Sequence, residues 1–115
     1  METGQITSYP PRLLIANDAV GLVTRWVHVK PGQGPLMQGT VLNVEGEAIE
    51  GGDPFSILGM NVNTGDTGAT AEVSATIYLA GAFIRQRVFL KGGLAVPADM
   101  EKKMRDLGMF LETAN

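Results

Sequence analysis

From Glu72 to Leu79 the chain alternates with a period of two. Val73, Ala75, Ile77 and Leu79 fall on one face and Glu72, Ser74, Thr76 and Tyr78 on the other. That period and the β-branched content predict a half-buried strand. Ala80-Gly81 then predicts a tight reversal. Ala82 to Leu90 reads as the returning strand, with Ile84, Val88 and Leu90 on one face and Phe83, Arg85, Arg87 and Phe89 on the other. Val20 to Lys30 alternates in the same way. Val23, Arg25, Val27 and Val29 share one side, and Leu22, Thr24, Trp26 and His28 the other. Leu36 to Val44 is a further strand in which Gly39 marks a bulge or a close backbone approach, and Phe55 to Val62 is a short apolar run of strand length.

One segment has helical spacing. Met100, Met104 and Leu107 recur at intervals of four and three, which places them on one helix face. Pro97 suits the first helical position, Asp99 and Glu101 suit the positive N-terminal end, and Gly108 suits a left-handed C-terminal cap. Glu101–Arg105 and Lys102–Asp106 stand at i,i+4, so the charge run reads as a solvated face. Met109 to Glu112 reads as a final strand.

Between these runs lie glycine clusters: Pro31-Gly-Gln-Gly-Pro35, Glu50-Gly-Gly-Asp-Pro54, Asn63-Thr-Gly-Asp-Thr-Gly68 and Lys91-Gly-Gly93. They read as turns, with Asp53 and Asp66 in Asx-turn roles. Residues 1–14 differ from the rest. They are polar apart from Ile6 as far as Ser8, and Tyr9-Pro10-Pro11 then favours extended backbone and lacks two amide donors. This stretch reads as an N-terminal arm, disordered when free, ahead of a single folded domain at 15–115.

Composition narrows the function. At 115 residues the chain is one domain with room for one core. Its net charge is −3 and it has no basic stripe, which argues against nucleic acid as a partner. It has no cysteine, so it has neither a disulfide framework nor a thiolate nucleophile. No apolar run approaches the ~20 residues of a membrane helix, and Met1-Glu2-Thr3-Gly4 does not read as a signal peptide. The expected setting is a cytoplasm, or a particle assembled there.

Little points to catalysis. His28 is the only histidine and has no ligand cluster in sequence. Gly65-Asp-Thr-Gly68 lacks the Lys-Ser/Thr of a phosphate loop and precedes a strand, so it reads as a turn. No Gly-x-Ser-x-Gly elbow is present. The expectation is a non-enzyme without cofactor or metal. An alternative is a small β-barrel carrier or ligand-binding module. Pro35-Leu-Met-Gln-Gly-Thr-Val-Leu faintly resembles biotinyl and lipoyl carriers, but neither Lys30 nor Lys91 has the flanking residues of a modified lysine.

Five segments in order resemble the lambda-type bacteriophage head decoration, or cement, proteins. They are Val23-Thr-Arg-Trp-Val-His-Val-Lys-Pro-Gly-Gln33, Pro35-Leu-Met-Gln-Gly-Thr-Val-Leu42, Ile57-Leu-Gly-Met60, Ile77-Tyr-Leu-Ala-Gly-Ala-Phe83, and the helix with Leu107-Gly-Met-Phe-Leu111. Together they span about residues 20–112. Ser56 stands where that family commonly has Gly.

The resemblance implies a mainly β (α+β) fold, a small β-barrel or β-tulip-like decoration domain with one short C-terminal helix and an extended N-terminal arm. It implies a homotrimer on the outer surface of the virion head at three-fold positions, made in the host bacterial cytoplasm. The implied partner is the major capsid protein of a tailed phage, to one of whose strands the arm adds. The expected capsid-binding residues are Ile6, Tyr9, Pro10, Pro11 and Leu13 in the arm. Trp26 is a further candidate, either anchoring the arm's root or lying in the core.

Overall fold

The computed structural model describes residues 14–17 and 21–113. Its strands are β1 (Ile15–Asn17), β2 (Val23–Val29), β3 (Pro35–Leu36), β4 (Val41–Leu42), β5 (Ser56–Leu58), β6 (Val62–Asn63), β7 (Val73–Ile84) and β8 (Met109–Glu112). The helix α1 (Ala98–Asp106) lies between β7 and β8. The fold is mixed α+β and mainly strand, with the helix near the C-terminus.

β7 is the spine of a six-stranded sheet. β2 pairs with its first half and β1 with its second, both antiparallel. β5 pairs antiparallel with Tyr78 and Ile77, and β4 continues outward from β5. β8 runs parallel to residues Gly81–Ile84. The parallel pairing follows from α1, which carries the chain back before β8 begins. β3 and β6 form a separate two-stranded ribbon. No sheet closes into a barrel, which corrects the expected barrel. The sheet branches from both flanks of one strand, and the pairings do not join the outer edges of β2 and β4.

The reversal expected at Ala80-Gly81 does not occur. β7 runs through it as one 12-residue strand. Gly81 adopts φ +146, and a Cβ there would come within 2.8 Å of Leu22 Cδ1. The backbone twists at this glycine, while Ala82 to Ile84 keep their partners in β1 and β8. The twist resets the alternation, so Tyr78 and Phe83, five residues apart, face the same core with ring centroids 5.6 Å apart. Burial also pushes the Tyr78 phenol up.

Two apolar clusters flank the spine. One joins Tyr78 and Phe83 with Leu14, Val41, Ile57, Val88, Leu90, Met100, Met104, Met109 and Leu111. The other joins Ala75 and Ile77 with Val29, Leu42 and Leu58. The alternation of Ala75, Ile77 and Leu79 thus appears as expected, with Leu79 packed at that cluster's margin.

Gly39 splits the expected strand Leu36–Val44 into β3 and β4. Its φ is +99, and a Cβ there would lie 1.9 Å from the Arg87 carbonyl oxygen. Its N–H donates to Leu58 O, and its C=O accepts from the Phe89 N–H. Three segments therefore meet at a point that admits no side chain.

The returning strand expected after β7 is a 3-10 turn at Arg85–Arg87, after which Val88 and Leu90 enter the core. Arg85 ties the C-terminal elements together. It donates through both terminal nitrogens to the Glu101 carboxylate, and also to Leu111 O at 2.9 Å and Thr113 Oγ1 at 3.2 Å. Glu101 therefore faces inward, with its side chain 12% exposed. It also takes the expected Arg105 partner at 3.4 Å, whereas Lys102 and Asp106 make no ion pair among the described residues. Pro97 is the N-cap, with extended backbone, in place of the first helical residue. Met100 and Met104 are buried as expected, but Leu107 is exposed because the helix has already ended. Gly108 follows at φ +97.

Two measurements check these contacts. Gly39→Ala is expected to cost at least ~3 kcal/mol in urea unfolding, because backbone must move. Gly34→Ala, at φ +74 in open space, is expected to cost about 1–2 kcal/mol. The Arg85 hydrogen bonds hold the Glu101 carboxyl below the usual carboxylate range. Its contribution is therefore complete above that range and is lost as pH falls through the lowered value. Glu101→Gln is expected to cost about 1 kcal/mol at pH 7, a low figure because Arg85 is 40% exposed. The same change should flatten the decline in stability below roughly pH 4.5.

Candidate functional site

The open edge of the sheet lies along β2. Val29 is buried and Val27 half-buried against the second cluster. On the other face, Trp26 stands opposite Thr76, and His28 opposite Ser74. Those partners are small and polar, and among the described residues no apolar layer covers them. The Trp26 side chain is 66% exposed. His28 Nδ1 and Ser74 Oγ share a hydrogen bond at 3.2 Å. Leu22 and Val23, at the start of the strand, are also exposed.

The direction of the backbone groups follows from the neighbouring bonds. Thr76 C=O accepts from the Gly59 N–H on the β5 side of β7. Trp26 and Thr76 are therefore a non-hydrogen-bonded antiparallel pair, and Trp26 turns its N–H and C=O away from β7. Alternation gives Thr24 and His28 the same direction. Two contacts agree with this. Arg25 Nη1 donates to Thr24 O at 3.0 Å, and Lys30 N–H donates to Gly46 O at 3.2 Å. Nothing among the described residues pairs with the Trp26 N–H or C=O.

The arm's root is on the same flank of β7 but at its other end. Leu14 is buried, and its C=O accepts from the Ile84 N–H at 2.7 Å. Ile15 is opposite Phe83, whereas Trp26 is opposite Thr76. Seven residues of strand separate those positions, roughly 23 Å. Trp26 thus lies neither in the core nor beside Leu14. Ile6, Tyr9, Pro10, Pro11 and Leu13 lie outside the described residues.

Other polar groups have structural partners. Lys30 Nζ pairs with Glu47 at 2.9 Å, and together with Asn43 it holds the Glu47 carboxyl below its ordinary range. Lys103 pairs with Asp53 at 3.2 Å. The Asx turns belong to Asn43 and Asn63, whose Oδ1 atoms accept from Glu45, Glu47 and Gly65 amides. This replaces the roles expected of Asp53 and Asp66. Gln33 links three segments: its side chain donates to Lys30 O and Gly46 O and accepts from the Ala48 N–H, and its own N–H donates to Thr64 Oγ1 at 2.8 Å. Among the described residues no group of three or more His, Cys, Asp or Glu could hold a metal. An open groove of about 510 Å³ is lined by Leu36, Met37, Phe89, Leu90 and Lys91, among others. Among the described residues its only charged lining group is Lys91.

The sequence pointed to Trp26 but not to the open edge beneath it, because edge and interior strands alternate alike. It also missed the Arg85–Glu101 pair, which joins residues from opposite ends of a loop. No protein-family model matches the chain, and no curated protein matches it.

An exposed Trp26 contributes little to stability. Trp26→Ala is expected to change urea unfolding by no more than about 0.5 kcal/mol. Trp26 is the only tryptophan, so native fluorescence should be that of a solvated indole and open to acrylamide quenching.

Proposed function

We propose that this chain is a phage head decoration protein. It binds as a homotrimer to the outer surface of the expanded head at three-fold positions and stabilises the shell without catalysis. The observation that carries the reading is the order of the five resembling segments. In the fold, residues of those segments have steric or bonding duties. Gly39 and Gly81 stand where a Cβ would collide. Gln33 joins its own turn to the 46–48 segment and to Thr64, Thr40 Oγ1 donates to Met37 O at 2.7 Å, and Tyr78 packs on Phe83. The resemblance thus rests in part on residues with packing roles in this fold.

In this reading the arm ahead of Leu14, which is itself held in the core, adds to an unpaired strand of the shell protein. A dozen extended residues reach up to roughly 40 Å. Main-chain hydrogen bonds give such an arm affinity for a strand edge. Ordering it costs entropy, so one arm binds weakly, and three on one trimer bind by raised effective concentration. Binding the assembled shell in preference to free subunits stabilises the shell by mass action. The carrier alternative has no observation in its favour: Lys30 is engaged by Glu47, and the sheet is open.

Light scattering after size exclusion should give about three times the 12.2 kDa chain mass. The protein should co-sediment with expanded heads of its phage. Deleting residues 1–12 should abolish co-sedimentation and leave the thermal unfolding midpoint nearly unchanged, since Leu14 is retained. A monomer indifferent to heads, or a truncated protein that binds them normally, would sink the proposal.

A further inference from the structure

We infer that the outer edge of β2, from Thr24 to His28, is a second strand-addition site, and that its occupant is an extended, acidic segment of the shell protein. The inference rests on the decoration reading for the identity of the partner. The site itself is read from the backbone. Trp26 offers an N–H and C=O that pair with nothing among the described residues, and Thr24 and His28 turn their N–H groups the same way. The Gly46 loop bounds the slot at one end, where Lys30 N–H is already taken. The stretch from Thr24 to His28 contains no proline, glycine or carboxylate to discourage pairing.

Charge selects the occupant. The whole chain is at −3, yet residues 22–30 contain Arg25, His28 and Lys30 and no Asp or Glu. Lys30 is neutralised by Glu47. Arg25 has no carboxylate partner among the described residues, and its guanidinium rests on its own strand's Thr24 carbonyl. An incoming strand with an acidic side chain would draw Arg25 off that carbonyl and free one more acceptor for the ladder. A second copy of β2 fits less well, because antiparallel pairing about Trp26 would set Arg25 opposite Val27 and bring it no carboxylate. Trp26 beside the slot supplies a broad apolar surface for an alternate residue of the incoming strand.

Strand addition has a signature that simple covering lacks. When protein bound to expanded heads is exchanged in deuterated buffer and then released for residue-level readout, the amides of Thr24, Trp26 and His28 should slow. Those of Arg25 and Val27, already directed at β7, should not change. Arg25→Glu and Thr24→Pro should each weaken head binding at least tenfold. The proline replaces an N–H that no β7 group uses, so the edge strand should still form. Arg25→Glu alters only an exposed side chain and serves alone if the proline variant does not fold. Wild-type protein that binds heads without alternating protection, and as tightly as Arg25→Glu, would overturn the inference and leave the decoration reading standing. Wild-type protein that ignores heads would remove both. Alternating protection that grows with concentration in the free protein would assign the edge to a second copy and overturn the proposal.

Discussion

Every strand of the main sheet except β4 takes its partner from β7, so the sheet depends on one strand that is paired along nearly all its length and on both flanks at Ile77–Tyr78 and Ala82–Phe83. Such a strand must serve a core on each face, and a regular alternation would divide its large side chains evenly between them. The +146 φ at Gly81 changes that division. It allows Tyr78 and Phe83 to meet on one side while Ala75 and Ile77 serve the other. A side chain at that position would meet Leu22 and Phe83. The same twist coincides with the register shift in β2 between Val23 and Thr24. One glycine thus sets the packing of the first cluster and the course of the neighbouring strand.

The C-terminal third shows how polar and apolar forces divide the work. Met100, Met104, Met109 and Leu111 fill the first cluster. Burial of this kind favours association without fixing an angle. Arg85 supplies the direction, because its planar guanidinium meets the Glu101 carboxylate and a β8 carbonyl at once. Helix, last strand and spine are therefore held in one orientation by a single side chain.

Much of this was legible in the chain. The alternation in β2 and the first half of β7, the methionine stripe of α1, the Gly108 cap and the close approach at Gly39 all follow from local pattern. What was missed was non-local. Ala80-Gly81 looks like a hairpin because glycine relieves positive φ in a turn and in a twisted strand alike. The broken strand after Ile84 and the inward Glu101 depend on each other across sixteen residues. A barrel was expected from the family resemblance, but the likeness of short segments says nothing of whether the outer edges meet. For the site, Trp26 stood out as an amphipathic residue in a strand. Its exposure depended on Thr76 and Ser74 being its cross-strand neighbours.

The lateness of β7 in the chain has a consequence for synthesis. The spine begins at residue 73 of 115. Until it leaves the ribosome, β1, β2 and β5 have no partner along it. At ~5–20 residues per second, the first 72 residues wait seconds for their organiser. During that interval Val23-Thr-Arg-Trp-Val-His-Val29 is a β-prone segment with both edges unsatisfied. Its arginine and histidine then serve as gatekeepers against premature self-pairing.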